Sequence, residues 1–242
     1  MDYRGIFSKK RIIFLVLFVA LVLIGKKINF SPLVGAESQF LTLYQFFGPI
    51  AGAFLGPFFG VIAVFGAQIS DSLIVGKEWT WINLVRLTPM LFAAWYFGTK
   101  KRWMGVAVPL AAIVLFVVHP VGRYAWLYAM FWLIPIVIKL LPGQYSSAVF
   151  ARSLGATFTA HCVGAVAWLY TFPMTAEQWL ALIPVTAVER WLFAGGIAVS
   201  YVLMNTVLDV VVSRWKLKIP ADVLRVDKRY VLARVLGLAK AK

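Results

Sequence analysis

Residues 48–71 have the sequence GPIAGAFLGPFFGVIAVFGAQISD, an apolar segment with regularly spaced glycines. Its glycines recur at every fourth position, at Gly48, Gly52, Gly56 and Gly60. On a helix this spacing places the smallest side chain on one face in each turn, so that another helix can approach closely. Gly56 suits the end of one helix, and Pro57 suits the first position of the next. We therefore predict two closely packed helices over residues 40–55 and 57–74.

The composition of the chain is typical of a polytopic membrane protein. Of its 242 residues, 62% are hydrophobic and only 14% are charged, and the mean hydropathy is +0.86. The net charge is +15, but the basic residues are concentrated near the N-terminus, at residues 100–102 and after residue 213. Basic flanks of this kind mark the cytoplasmic side and contact anionic lipids, so they do not indicate a nucleic-acid partner. We expect a multi-pass protein of the cell membrane with both termini in the cytoplasm.

The order of apolar segments predicts an all-α transmembrane bundle at residues 1–213 and a basic cytoplasmic tail at residues 214–242. The first apolar run follows a basic start without a signal-peptide cleavage site, so we interpret residues 11–28 as a spanning helix. A polar external loop is expected at residues 29–39. Further helices are predicted at residues 81–98, 147–169 and 185–212. Residues 106–141 form either two spanning helices or one re-entrant pair, which gives six to eight crossings in total.

Candidate binding residues are the ionisable, polar and aromatic side chains predicted in or near the membrane, where such groups are costly. They are Glu37, Gln45, Asp71, Asn83, Arg86, His161, Trp168 and Glu189. Arg86 and His161 would donate hydrogen bonds to a polar or anionic ligand. Asp71 and Glu189 would accept hydrogen bonds or balance Arg86, and Trp168 would stack on a ring. The alternatives are that charges at helix ends are simply solvated and that His161 is a packed partner between helices.

The sequence contains no metal-ligand cluster, no nucleophile triad and no phosphate-binding loop. We therefore predict no catalytic residue, no metal and no cofactor. Because a phosphate-binding loop is absent, energised transport would need ATPase subunits from outside this chain. A small-molecule substrate and membrane lipids are the expected partners.

Taken in order, these features resemble the substrate-binding S component of an energy-coupling-factor (ECF) vitamin transporter. The resemblance rests on the basic-flanked first helix with its polar loop, on FGPIAG at residues 47–52 with the later Ser70–Ser72, and on IPV at residues 183–185 leading to Glu189. It implies a six-helix core that captures a vitamin or similar molecule from outside. It also implies a transmembrane coupling subunit and ATPase subunits as partners. The chain departs from the family in lacking two alanines four apart in its first helix, and in the additional residues 106–141 and the tail.

Two other functions remain open at this point. One is a membrane scaffold that holds a soluble partner with its basic tail. The other is a membrane-embedded enzyme, for which His161 and Glu189 are the nearest acid–base candidates. The residues do not discriminate between a vitamin, a nucleobase derivative and an anionic metabolite as substrate.

Overall fold

The computed structural model describes residues 8–32 and 40–238, and helices dominate it. The helices are α1 (Lys9–Lys26), α2 (Tyr44–Leu55), α3 (Pro57–Val75), α4 (Trp81–Val85), α5 (Thr88–Gly98), α6 (Arg102–Val118), α7 (Trp126–Ala129), α8 (Leu133–Leu140), α9 (Gly143–Ser146), α10 (Val149–Leu169), α11 (Ala176–Ala181), α12 (Ile183–Arg214) and α13 (Leu232–Val235). The predicted helical fold is confirmed. A small antiparallel pair, β1 (Asn29–Pro32) and β2 (Phe40–Thr42), joins α1 to α2 and was not predicted.

Successive long helices run in opposite directions between two ends of the bundle. At the end that carries β1 and β2, called here the hairpin end, the last turns of α1 and α3 meet through Lys26 and Asp71. At the opposite end, called the tail end, the start of α1 meets the segment after α12 through Arg11 and Asp222. Because α2 and α12 both run towards the tail end, the chain after α12 returns to the bundle there.

The glycine stripe lies where α2, α3 and α5 are closest. A Cβ atom at Gly52 would collide with the carbonyl oxygen of Ala94 in α5, and a Cβ atom at Gly60 would collide with the backbone of Gly52. Gly56 has φ 81° and ends α2, and Pro57 begins α3 at once. The absence of side chains therefore sets the distance between these three helices.

The predicted helix over residues 81–98 is two helices, α4 and α5, and the reason is Pro89. Proline has no backbone N–H, so the carbonyl oxygen of Val85 lacks its helical donor. The hydroxyl group of Thr88 donates to that oxygen at 2.8 Å instead. From α3, the side-chain amide of Gln68 donates to the Leu87 carbonyl oxygen at 2.9 Å. The break places Arg86 in the turn between the two helices.

Residues 102–140 form an antiparallel pair, with α6 on one side and α7 and α8 on the other. Their shared core is aromatic. The ring of Phe116 meets those of Trp132 and Trp179 edge to face, with 5.2 Å between ring centroids in each pair. The pair packs on α10, so it belongs to the same bundle as the glycine helices.

Two of the described helices, α3 and α12, are long and apolar enough to cross a membrane by length and composition. Shorter apolar helices lie at residues 105–118 and 126–140.

The described part of the segment after α12 packs on the bundle. Only α13 is α-helical there within the described residues. Val223 and Leu224 are buried, and the backbone N–H of Arg225 donates to the carbonyl oxygen of Phe54 at 2.8 Å. The side chain of Asn205 pairs with both backbone groups of Asp227, at 2.7 and 2.9 Å. The tail therefore contributes to the core of the bundle.

Candidate functional site

A cavity of about 360 Å³ opens at the hairpin end between helices that are distant in sequence. Helices α2 to α5 line one part of it, and α7, α10, α11 and α12 line the rest. Polar and aromatic side chains make up much of its lining, namely Tyr44, Gln45, Gln68, Arg86, Tyr128, His161, Trp168, Trp179 and Arg190. The volume and the mixture of apolar and polar groups suit a small organic molecule.

Arg86 and Trp168 face each other across the rim of this cavity. The guanidinium carbon of Arg86 lies 5.9 Å from the centroid of the Trp168 ring, which is at the outer limit of a cation–π contact. Trp168 also stacks on Phe172 at 4.0 Å between centroids. Among the described residues no carboxylate pairs with Arg86. Its charge is therefore available to an anionic group.

His161 lies in a hydrogen-bonded cluster and is a packed partner between helices, which is one of the two roles that the sequence leaves open for it. The indole N–H of Trp132 donates to Nδ1 of His161 at 3.1 Å. Since an indole nitrogen can only donate, Nδ1 accepts, and the proton of the neutral ring is on Nε2. Nε2 then donates to the hydroxyl oxygen of Tyr128 at 2.9 Å, and Tyr128 donates to Thr186 at 3.1 Å. These three hydrogen bonds hold the imidazole ring in one orientation in the cavity wall.

Three buried polar groups around the cavity have no hydrogen-bond partner among the described residues. They are the hydroxyl group of Tyr44, the indole N–H of Trp179 and Nε of Arg190. A buried donor without a partner costs roughly 1–3 kcal/mol, so such groups are rare in native structures. Here all three belong to residues that line one cavity. A polar ligand in this space would be a natural partner for them.

Arg190 is the second cation of the site and is almost fully buried. Its Nη2 atom donates to Oε2 of Glu189 at 3.1 Å, and its guanidinium carbon lies 4.5 Å from the centroid of the Phe193 ring. Arg190 lines the cavity. Glu189 does not line the cavity itself, and it affects the site by holding the guanidinium group of Arg190.

Four of the predicted site residues lie together in the cavity wall, namely Gln45, Arg86, His161 and Trp168. Within the described residues Arg86 pairs with neither Asp71 nor Glu189, and its expected contact with an anionic ligand stays a prediction. Asp71 pairs with Lys26 at 2.7 Å and Lys77 at 3.1 Å instead, because the end of α1 lies against α3. The side-chain amide of Asn83 donates to the Glu78 carbonyl oxygen at 2.9 Å outside the cavity. Glu37 lies outside the described residues.

The polar and aromatic lining residues that the sequence-based set lacks are Tyr44, Gln68, Tyr128, Trp179 and Arg190. Arg190 had a usable signal, because a basic residue inside an apolar helix is unusual. Trp179 and Tyr128 had none, since aromatic residues near a membrane boundary are ordinary. No group of three His, Cys, Asp or Glu suited to a metal ion occurs in the part of the chain that the structure describes.

No protein-family model, curated protein or solved structure matches this chain.

Proposed function

We propose that the protein is a membrane-embedded subunit that captures a small molecule in the hairpin-end cavity. The observation that carries this proposal is the set of three buried, unpartnered polar groups of Tyr44, Trp179 and Arg190 around one cavity of about 360 Å³. The unpaired charge of Arg86 and the ring of Trp168 stand at its rim. The favoured ligand has an aromatic or otherwise flat body and at least one anionic or strongly polar group.

The membrane setting of this proposal follows from the distribution of charge and apolar surface. The start of α1, residues 99–101 and the described segment after α12 lie at the tail end, together with most of the Lys and Arg residues that the structure describes. By the positive-inside rule that end faces the cytoplasm, and the hairpin end with its cavity faces outside. The alternating helices then cross the membrane several times, with α3 and α12 as the longest apolar spans.

The resemblance to S components of ECF transporters supplies the remaining part of the proposal. In that scheme this chain binds the substrate, and separate coupling and ATPase subunits drive its release inward. Residues of α10 and α12 line the cavity, which opens at the end that faces outside in this scheme, and this position supports the proposal. The chain itself contributes binding groups and no nucleotide site.

The test begins with native mass spectrometry of the full-length protein extracted from its host membranes in mild detergent. We expect a retained small molecule and co-purifying coupling and ATPase subunits. The released molecule is then titrated against the wild type and Arg86→Gln, for which we expect about tenfold weaker binding through loss of a charge-assisted contact.

Arg123→Gln is the matched control, because Arg123 is exposed and lies outside the cavity lining. It should bind the released molecule as the wild type does. An empty cavity with no co-purifying subunit, or unchanged affinity in a folded Arg86→Gln protein, would contradict the proposal.

The two alternative functions have less support. For an enzyme, both ring nitrogens of His161 are engaged by Trp132 and Tyr128, and Glu189 is engaged by Arg190. For a scaffold, the part of the tail at residues 222–230 packs on the bundle instead of extending from it.

A further inference from the structure

A second cavity, of about 550 Å³, lies at the tail end and is strongly basic. It opens between α5, α8, α10 and the segment at residues 225–229. Seven of the residues that line it are cations, namely Lys100, Arg102, Lys139, Arg152, Arg225, Lys228 and Arg229. One lining residue is a carboxylate, Asp227. The excess of positive charge is far larger than a structural ion-pair network needs.

Lys139 is the most deeply buried of these cations, with 8% of its surface exposed. Its ammonium group donates to the carbonyl oxygens of Tyr96 at 3.0 Å and Thr99 at 2.8 Å. An ammonium group has three donors, so one remains after these two bonds. Gly105 makes room for the lysine stem, because a Cβ atom there would lie 2.5 Å from Cγ of Lys139. The fold thus admits a buried amine at a position that borders the cavity.

Arg152 reaches the same region from α10. Its Nη2 atom donates to the carbonyl oxygen of Phe97 at 2.6 Å, and its guanidinium carbon lies 4.3 Å from the centroid of the Phe97 ring. Lys139 and Arg152 together satisfy carbonyl oxygens at the C-terminal end of α5, where cations are favourable. Helix capping explains where these two side chains lie, but it adds no negative charge to the cavity.

The single carboxylate of the lining, that of Asp227, already has an ion-pair partner. Both oxygens of Asp227 accept hydrogen bonds from Arg229, with the shortest at 2.8 Å, and these bonds hold the pKa of Asp227 below its usual range. Asn205 fixes the backbone of Asp227 at the same time. Among the described residues, the other six cations of the lining form no ion pair with a carboxylate.

We propose that this cavity binds the phosphate group of an anionic phosphate ester. Phosphate oxygens accept several charge-assisted hydrogen bonds at once, and lysine and arginine are the residues that proteins use for them. Two sources share this chemistry: the headgroup of an anionic phospholipid in the surrounding leaflet, and a soluble phosphate ester. This site lies at the opposite end of the bundle from the small-molecule cavity, so ligand binding at one can be tested without the other.

The test uses the full-length protein after removal of co-purified lipid. Native mass spectrometry measures its affinity for phosphatidic acid and for phosphatidylcholine, whose phosphate charge is balanced by an ammonium group. We expect phosphatidic acid to bind about tenfold more tightly. In Arg102→Gln/Lys228→Gln, which alters two exposed cations of the lining, we expect that preference to be lost.

The matched control is Arg214→Gln/Lys218→Gln, which removes the same charge from exposed residues outside the lining. It should keep the preference for phosphatidic acid. Competition with millimolar pyrophosphate separates the two sources: displacement of phosphatidic acid supports a site that also accepts soluble phosphate esters, and no displacement supports a lipid headgroup site. Equal affinity for the two lipids, or an unchanged preference in a stably folded Arg102→Gln/Lys228→Gln protein, would overturn the inference.

Discussion

Asp71 shows how a residue with a functional signature can have a structural partner. Its carboxylate lies between the ammonium groups of Lys26, at 2.7 Å, and Lys77, at 3.1 Å. The side chains of Asp71 and Lys26 are 7% and 15% exposed, whereas that of Lys77 is 48% exposed. Since water screens the outer pair, most of the interaction free energy belongs to the inner pair. This pair fastens the end of α1 to α3.

We therefore expect Asp71→Asn to lower the melting temperature of the detergent-purified protein by roughly 5 °C, which corresponds to about 2 kcal/mol of unfolding free energy. The change leaves the ammonium group of Lys26 without its buried counter-charge. Lys77→Gln is the matched variant and should shift the melting temperature by about 1 °C or less. The double variant Asp71→Asn/Lys26→Gln should lose less unfolding free energy than the two single variants lose together. Additive effects would show that the pair contributes nothing.

At the scale of single residues, part of the candidate site could be predicted from the sequence. Gln45, Arg86 and His161 were recognisable because polar groups in apolar helices need a partner or a ligand. Trp179 and Tyr128 were missed, since an aromatic side chain at a membrane boundary has an ordinary explanation. Their roles depend on which polar atoms are paired after packing, as in Tyr128, and which are left without a partner, as in Trp179, and a single sequence does not contain that information.

At the scale of helices, the spacing of residue types predicted which segments are helical better than it predicted where each helix begins and ends. The turn at Gly56 and Pro57 follows directly from the conformational preferences of those two residues. The start of α2 lies at residue 44, not 40, because residues 40–42 pair with β1. Pro89 was an available signal for the break between α4 and α5. A long apolar run nevertheless favours one continuous helix over residues 81–98.

The contact of α2 with α5 and α3 leads to a prediction on glycine. In Gly52→Ala the new methyl group would collide with the Ala94 carbonyl group and approach the backbone of Gly98 to 3.2 Å. Backbone atoms at a three-helix contact cannot move aside as a flexible side chain can. We expect a loss of about 3 kcal/mol in unfolding free energy, or a failure to fold.

Gly195→Ala is the control for this change, because no atom lies within 4 Å of a Cβ atom placed there. Gly195 is also helical, so alanine should leave the thermal midpoint unchanged or raise it slightly. The measurement is thermal unfolding of both variants in the same detergent. Equal midpoints for the two variants would show that the stripe does not set the helix spacing.

At the scale of the whole molecule, the sequence predicted the order of apolar segments but not how the tail closes the bundle. The apolar positions after residue 222 have helical spacing, which favours an amphipathic helix. The carbonyl oxygen of Phe54 is one of the orphan acceptors at the end of α2, and the backbone of Arg225 satisfies it. That contact joins residues 171 positions apart in the chain. The spacing of apolar residues within a short segment cannot predict such a pairing, because donor and acceptor come together only when the helices have packed.

Deletion of residues 213–242 consequently does not isolate a tail function. It would expose the core around Leu224 and remove the partners of Asn205. Loss of ligand binding in such a truncated protein would follow from a weakened bundle as readily as from a lost partner. Single substitutions at the exposed cations of the tail are the cleaner experiment.

The alternation of helix direction predicts which surfaces share a side of the membrane. Cys162 is fully buried, so the native chain should give little background with a membrane-impermeant maleimide. Glu177→Cys, in α11, places an exposed thiol at the hairpin end, and Lys101→Cys and Lys216→Cys place exposed thiols at the tail end. In sealed right-side-out vesicles we expect the first to react and the other two to be protected. In inside-out vesicles the pattern should reverse. Reaction of all three from one side would mean that the helices do not carry the chain across the bilayer, and the hairpin-end cavity would then not face the outside.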